Sequence, residues 1–243
     1  MKRVLVIIPT YNEIENISNI IDAALNQGRE YNVLVIDDNS PDGTAKAVEE
    51  KMRQYPDRVF LECREGKLGL GTAYIHGFKW ALSRGYDYII EMDADFSHNP
   101  ADLPKLVAAC EEEGADMAVG SRYISGVNVV NWPIGRVLMS YFASIYVRMI
   151  LGVKIKDTTA GFVCYSRKVL EALNLDKIKF KGYAFQIEMK FKAYCKKFRI
   201  VEVPIIFINR RLGSSKMNSG IFGEAMLGVI KLKGQSIFSK DWL

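Results

Sequence analysis

The 243-residue sequence predicts an α/β fold, a parallel sheet with helices on both faces. Short apolar runs alternate with stretches of helical periodicity from the first residues onward. The early runs end in polar, turn-forming segments, as strands feeding helices do. A composition of 49% hydrophobic and 25% charged residues fits one globular domain with a buried core and excludes disorder.

Val4 to Ile8 is an apolar run stopped by Pro9, giving a buried strand over 3–9. Ile14, Ile17, Ile20, Ile21, Ala24 and Leu25 then recur at helical spacing, a helix over 14–25. Val33 to Ile36 is the second strand, followed by the turn residues Asp37 to Gly43 and a helix from Thr44 to Arg53. Val59 to Cys63 is a third strand, Thr72 to Ser83 a helix and Tyr86 to Met92 a fourth strand. Asp102 is the expected N-cap of the next helix, because Pro104 then falls in the first turn, where a missing N–H is harmless. Gly114 ends that helix and Met117 to Val119 is another strand. The pattern then loosens: 127–133 reads as irregular, Gly135 to Leu151 as a long apolar-rich helix, and Val201 to Ile208 as a strand that Pro204 confines to an edge or bulge. Arg210 to Gly220 is a Gly/Ser-rich loop, and Ile221 to Lys233 a helix with Phe222, Ala225, Met226 and Val229 on one face.

The formal net charge of +5 is too small and too scattered to argue for nucleic acid; it permits a mild attraction to phosphates or an anionic membrane. Four separated cysteines without a C-x-x-C pair exclude a disulfide scaffold or structural zinc site and point to a reducing compartment. The five-residue N-terminal apolar run is no signal peptide. Arg136 and Arg148 argue against a span over 134–153, each costing roughly 3 kcal/mol at a bilayer centre.

In open α/β sheets ligands bind beyond the carboxyl ends of the strands. Three such loops carry chemistry here: Pro9-Thr10-Tyr11-Asn12-Glu13, Asp37-Asp38-Asn39-Ser40 and Asp93-Ala94-Asp95-Phe96-Ser97-His98. None supplies the G-x-G-x-x-G of a dinucleotide turn. Asp93 and Asp95, two apart, face one side if strand geometry persists, a donor pair suited to Mg²⁺ or Mn²⁺ with phosphate oxygens; helix capping or a plain turn is the alternative. Asp38 suits a base or ribose, Tyr11 stacking and Glu13 accepting from a base, while 37–43 is equally what an ordinary turn uses. Gly66 to Thr72 is a glycine-rich loop without the P-loop ending, better suited to a wall of the site than a phosphate cradle. Arg122, Arg210, Arg211 and Lys216 are cations suited to a diphosphate, and His76 and His98 read as packing or hydrogen-bonding residues rather than bases.

These residues, with Asp37 to Thr44, Lys67 to Tyr74, Gly120-Ser121-Arg122-Tyr123 and Gly213-Ser214-Ser215-Lys216, resemble the inverting GT-A-fold glycosyltransferases, and within them the dolichol-phosphate (polyprenyl-phosphate) mannose synthases. The ordered set runs over about 3–218. The resemblance implies a Rossmann-like, mostly parallel sheet with C-terminal amphipathic helices: a catalytic domain over 1–220 and a helix and tail over 221–243. It implies that Pro9, Tyr11, Glu13, Ile36 and Asp38 hold the nucleoside of GDP-mannose and that Asp93, Ala94 and Asp95 line its ribose and diphosphate. Asp95 is then the chief metal ligand, Asp93 assists, and Ser97 stands where some relatives carry a Gln ligand. Arg122, Arg210 and Lys216 match phosphate-binding cations, the last two on a closing loop. Asp157 to Phe162 departs from the commoner Thr-Ser-Gly-Phe form, and Asp157 and Glu188 match positions in the sugar and acceptor region.

The implied reaction is attack of a dolichyl or polyprenyl phosphate on the anomeric carbon, inverting configuration. A phosphate monoester is already anionic at neutral pH, its second pKa being ~6, so no general base is needed. The alternatives are a glucosyl or other transferase using a UDP-sugar, a nucleotide-sugar-binding subunit without turnover, and a nucleotidyltransferase. The lipid acceptor implies peripheral docking on the cytoplasmic face of a membrane, through the Gly135 to Leu151 helix and the helix from Ile221 or through a small membrane-anchoring partner; for each helix, packing on the core is an equal alternative.

Overall fold

The computed structural model describes residues 2–182, 184–209, 220–238 and 242, with backbone alone over 220–225. Strand β1 (Val4–Thr10) shows why the sheet is covered twice. Val4, Val6 and Ile8 enter one core and Leu5 and Ile7 the other, the period-two alternation of a strand whose faces are both apolar. Helices α1 (Ile17–Leu25), α2 (Thr44–Gln54) and α4 (Leu103–Glu111) cover the first face. Helices α3 (Leu70–Ser83), α6 (Arg167–Ala172) and α7 (Ala184–Cys195) cover the second.

The sheet runs β3 (Val59–Cys63), β2 (Tyr31–Asp37), β1, β4 (Tyr88–Glu91), β7 (Val163–Ser166), β5 (Met117–Ser121), β8 (Ile200–Pro204). Its pairings are parallel except those of β7, antiparallel to both β4 and β5. The mostly parallel GT-A-type sheet is therefore observed, but a wholly parallel one is not. Sequence reading found no element over 163–195 and missed β7, α6 and α7. β7 is four residues buried on both faces, so it shows no alternation. In α7 the charged Glu188, Lys190 and Lys192 are themselves buried, so no polar stripe marks a helix.

Smaller differences have local causes. Helix α1 starts at Ile17, after turns at 14–16, and α3 starts two residues early, at Leu70. Asp102 sits at the N-cap with Pro104 in the first turn, but its carboxylate accepts from Lys105 Nζ at 2.6 Å instead of capping the backbone. α4 ends at Glu111, and Gly114 (φ +70°) lies in the turn that follows. Segment 127–133 holds a two-residue strand, β6 (Val129–Val130), paired with β9 (Phe207–Ile208). The strand expected over 201–208 thus divides: β8 closes at Pro204 on the sheet edge, and β9 turns away.

A third cluster joins α5 (Ile134–Leu151), α7 and α8 (Gly220–Phe238) through Val147, Leu151, Ile187, Phe191, Val229 and Leu232. The expected face of α8 is seen in Val229, buried, and Met226, half-buried; the side chains of Phe222 and Ala225 lie outside the described residues. Helix α5 is long and apolar enough to cross a membrane by length and composition. Arg136 and Arg148 lie in its first and last turns, so neither would reach a bilayer centre, and they do not argue against a span as the sequence reading held. Ile134, Leu138, Phe142 and Met149 form an exposed stripe at spacings of four and seven. All four cysteines are free.

Gly77 lets α3 approach β1: a Cβ there would stand 2.8 Å from Ile7 Cδ1 and 2.9 Å from Ile7 Cγ2. Gly77→Val should cost about 2 kcal/mol by overpacking, lowering the thermal midpoint by about 6 °C; an unchanged midpoint by circular dichroism would contradict this packing.

Candidate functional site

β1 lies between β2 and β4, so the loops after these three strands meet at one rim. Side chains stitch the first two together. Asp37, 1% exposed, accepts from Thr10 Oγ1 at 2.7 Å and from Ser40 N and Oγ at 2.8 and 2.6 Å. Ser40 Oγ accepts from Asn12 N, Thr44 Oγ1 from Glu13 N, and Asp42 from Ile14 N and from Thr44 N and Oγ1. Burial raises the Asp42 carboxyl, but these donors more than offset it and leave it below the usual carboxylate range. Asp37 and Asp42 are thus structural, and the turn chemistry of 37–43 coexists with a site.

Asp38 is different. Arg64 Nε and NH2 reach Asp38 Oδ1 at 2.6 and 2.5 Å, while Arg64 NH1 donates to Thr72 Oγ1 at 2.7 Å. Arg64 ties the nucleoside candidate Asp38 to the start of α3. Lys67 Nζ stands 5.2 Å from the ring centroid of Tyr11, so the glycine-rich segment does wall this side. Its Gly71 serves packing: a Cβ would meet Phe185 Cδ2 at 2.8 Å and the Phe180 carbonyl at 2.9 Å. Pro9, Tyr11 and Glu13 are half-buried at the rim, whereas the Ile36 side chain is fully buried in the α3-side core, which leaves its backbone as the part that could meet a nucleoside.

β4 ends at Glu91, so strand alternation does not set the directions of Asp93 and Asp95, contrary to the sequence argument. A turn does. His98 Nδ1 accepts from Asp93 N at 3.1 Å, Asp95 Oδ1 accepts from Ser97 N at 3.0 Å, and Phe96 between them has φ +59°. A phenylalanine in the left-handed region is uncommon and marks a closely specified loop. Burial pulls His98 down to about 4, and its ring stacks on Phe162 at 4.8 Å, so it is neutral and structural, as its sequence context suggested. Asp95 is 7% exposed, Ala94 4%, and Asp93 is half-exposed. Ser97 Oγ is buried beside Asp95 and has no hydrogen-bond partner among the described residues. An orphaned hydroxyl among hard oxygen donors fits a divalent cation. No cluster of three His, Cys, Asp or Glu side chains occurs among the described residues, so ligand oxygens and water would complete such a shell.

Opposite, Arg122 after β5 is clamped by Asp157. Arg122 N and Nε donate to Asp157 Oδ2 at 2.9 and 2.7 Å, NH2 to Oδ1 at 2.7 Å, and NH2 also to Thr159 Oγ1 at 2.8 Å. Trp132 and Phe207 ring centroids lie 5.6 and 5.7 Å from its Cζ. Arg136 Cζ lies over the same Trp132 ring, 4.0 Å from its centroid, and NH1 donates to Asn209 Oδ1 at 3.1 Å. Asp157 and Glu188 are both 0% exposed: the first orients Arg122, and the second accepts from Lys179 N and Phe180 N at 2.9 and 3.1 Å. Arg210, Arg211 and Lys216 lie outside the described residues.

Sequence reasoning missed Arg64, Arg136 and Trp132. Arg64 directly follows β3, so the strand-end rule that flagged the other loops would have found it. Arg136 was read only as a charge on an apolar helix.

A model of glycosyl transferase family 2 matches residues 5–173. The polyprenol monophosphomannose synthase of Mycolicibacterium smegmatis is 47% identical over 228 residues, 94% of this chain and 86% of that protein. The undecaprenyl-phosphate mannosyltransferase of Micrococcus luteus is 47% identical over 229 residues, 94% and 93% of the two chains. Among solved structures, glucosyl-3-phosphoglycerate synthase from Mycobacterium tuberculosis with Mn²⁺, UDP and glucosyl-3-phosphoglycerate superposes with a TM-score of 0.67 at 19% identity, covering 97% and 79%. Its complex with Mg²⁺ and UDP gives the same score, identity and coverage. These structures establish likeness of fold.

Burial raises the Asp157 carboxyl, but Arg122 outweighs it and holds the group below the usual carboxylate range. A depressed folded value stabilises above the unfolded pKa of about 4 and loses that contribution as pH falls through the folded value. Asp157→Asn should therefore cost about 3–5 kcal/mol at pH 7, and urea melts should show the gap to wild type closing below about pH 4; a gap independent of pH would contradict the clamp.

Proposed function

The chain belongs to glycosyl transferase family 2, and from that premise we propose that it is a metal-dependent inverting enzyme moving mannose from GDP-mannose to a polyprenyl phosphate. The observation that carries this reading is the rim itself. A base-reading pair, Asp38 and Arg64, a turn of Asp93, Ala94, Asp95 and the orphaned Ser97 hydroxyl, and a clamped Arg122 follow one another along it. Support for the sugar and the lipid comes from two relatives at 47% identity whose names share mannose and a polyprenyl carrier. The Mn²⁺ and Mg²⁺ complexes of the fold neighbour support a divalent cation.

In this reading Pro9, Tyr11, Glu13 and Asp38 receive the nucleoside, and Asp93, Ala94 and Asp95 face the ribose and diphosphate. Asp95 with Asp93 and Ser97 would hold Mg²⁺ or Mn²⁺, whose chemistry when bound is to neutralise charge on the departing diphosphate. Arg122 and Arg136 align the lipid phosphate, and Arg210 and Lys216 add cations to the donor phosphates. An oxygen of the acceptor phosphate bonds to the anomeric carbon as the bond from that carbon to the GDP oxygen breaks, its electron pair leaving with the diphosphate. The nucleophile is already anionic, and neutral buried His98 takes no proton from it. Catalysis then rests on alignment and charge stabilisation.

A second reading, a UDP-sugar donor, has a specific observation behind it. Asp38 accepts and Arg64 donates, a combination that fits the adjacent N–H and C=O of either guanine or uracil. Donor choice is settled by offering labelled GDP-mannose, UDP-glucose and UDP-mannose with farnesyl phosphate and extracting product into organic solvent.

Residues 1–220 make the catalytic domain here, and 221–243 the amphipathic helix and tail. The exposed stripe of α5, with Leu227, Ile230, Ile237 and Phe238 of α8, supports peripheral attachment to the cytoplasmic leaflet. A small membrane partner would reinforce it.

Asp95→Asn should abolish transfer, by at least about a thousandfold, with an unchanged circular dichroism spectrum, and chelation should abolish it reversibly. Substantial activity of that variant with Mg²⁺ present would sink the assignment. Leu138→Glu/Phe142→Glu should weaken partitioning onto anionic vesicles more than tenfold, since each apolar side chain withdrawn from water contributes about 1.5 kcal/mol or more; equal sedimentation of the variant and wild type would remove α5 as the attachment face.

A further inference from the structure

Behind the Arg122 clamp lies a buried cation that the reaction above does not use. Lys190 on α7 is 1% exposed. Its Nζ donates to the Ala160 carbonyl at 2.6 Å, to the Gln186 carbonyl at 3.2 Å and to Gln186 Oε1 at 3.3 Å. Gln186 Nε2 in turn donates to Glu91 Oε2 at 2.6 Å, and Tyr165 OH donates to Glu91 Oε1 at 3.3 Å. Burial lowers the Lys190 ammonium to about 8, against the opposing pull of Glu91 and Asp157.

Ala160 shares one short loop with Asp157 and Thr159, the two residues that hold the Arg122 guanidinium. The start of that loop is fixed by Glu202, which accepts from Lys156 N at 2.7 Å and Asp157 N at 2.8 Å. Its far end is fixed by Lys190. The loop is therefore hung between two side chains from α7 and β8, and Arg122 is gripped by the residues between them. An uncharged side chain of the same length would fill the space under Ala160 but leave that carbonyl and Gln186 Oε1 without their donor.

The geometry points to Lys190 as a positioning residue that, by fixing the Ala160 carbonyl, sets the 157–161 loop so that Asp157 and Thr159 present Arg122 to a phosphate. This rests on Arg122 being a phosphate-binding cation, as proposed above.

Lys190→Met and the double variant Glu91→Gln/Lys190→Met separate positioning from folding. The single variant takes the favourable pull of the Lys190 ammonium away from the buried Glu91 carboxyl, and the double variant puts a neutral amide in place of that carboxyl. Two readouts apply: kcat and KM for farnesyl phosphate at saturating GDP-mannose and Mg²⁺, and direct titration of farnesyl phosphate followed by tryptophan emission, since Trp132 stands beside Arg122. Lys190→Met should raise KM and the titration midpoint about tenfold, the scale of losses from outer-shell partners, with a smaller change in kcat. The double variant should recover the thermal midpoint to within about 2 °C yet keep the raised KM and titration midpoint. Recovery of KM together with the melting temperature would overturn the inference, as would a titration unchanged in Lys190→Met. Wild type that binds farnesyl phosphate but transfers no sugar would defeat the proposed reaction while leaving the titration to decide the role of Lys190. A titration unaffected by Arg122→Gln would overturn both.

Discussion

Crowded negative charge at one rim of the sheet is the constraint from which the rest follows. Asp37, Asp38, Asp42, Glu91, Asp93, Asp95 and Asp157 belong to loops or strand ends that meet there, and like charges in a poorly solvated place raise one another's free energy. The fold answers each with a different device. Thr10 and Ser40 hydroxyls hold Asp37, backbone donors hold Asp42, Arg64 holds Asp38, and a bidentate Arg122 holds Asp157. Glu91 is the expensive case. Burial drives its carboxyl up to about 8 in spite of Lys190, Gln186 and Tyr165, so this position is kept at a cost to stability.

Those devices divide the rim into parts that hold and parts that, in the proposed reaction, meet substrate. Asp37 and Asp42 tie their loop to the one after β1, through Thr10 and Ile14, and hold the segment that carries Asp38. His98 and Phe96 shape the turn that offers Asp93 and Asp95. Arg122 is gripped from behind, so its direction is fixed before any phosphate arrives. A guanidinium with its counter-ion already in place loses less freedom on binding than a free surface arginine, which is the benefit of preorganisation.

The first half of this arrangement was legible in the sequence. Strand ends announced by Pro9, Asp37 and Asp93 follow from local periodicity and turn chemistry, and those are short-range signals. The second half was not, because its signals are long-range. β7 is four buried residues, Val163 to Ser166, with no alternation, since helices cover both of its faces. α7 hides its periodicity because Lys190 and Lys192 are buried through partners up to thirty residues away in sequence. Arg64 was accessible to the same strand-end rule and was passed over; Arg136 gained meaning only when Trp132 was seen beside it. The direction of Asp93 and Asp95 could not have been read from alternation, because the strand stops two residues before them.

The reversed strand has a wider consequence. β5 leaves the sheet at the rim and β7 re-enters it there, with Gly120 N donating to the Phe162 carbonyl at 2.8 Å and Val119 opposite Val163. Everything between them, including β6, Trp132 and α5, is a single excursion whose two feet stand side by side. Lengthening one of its connecting turns leaves every register of the seven-stranded sheet intact and adds loop-closure entropy of about 0.6 kcal/mol for each doubling of length, whereas replacing α5 would strip Val147 and Leu151 from their cluster with α7 and α8. The feet thus keep Arg122 and Asp157 within one hydrogen bond of each other, whatever the length of the turns that lead to the helix proposed to face the lipid.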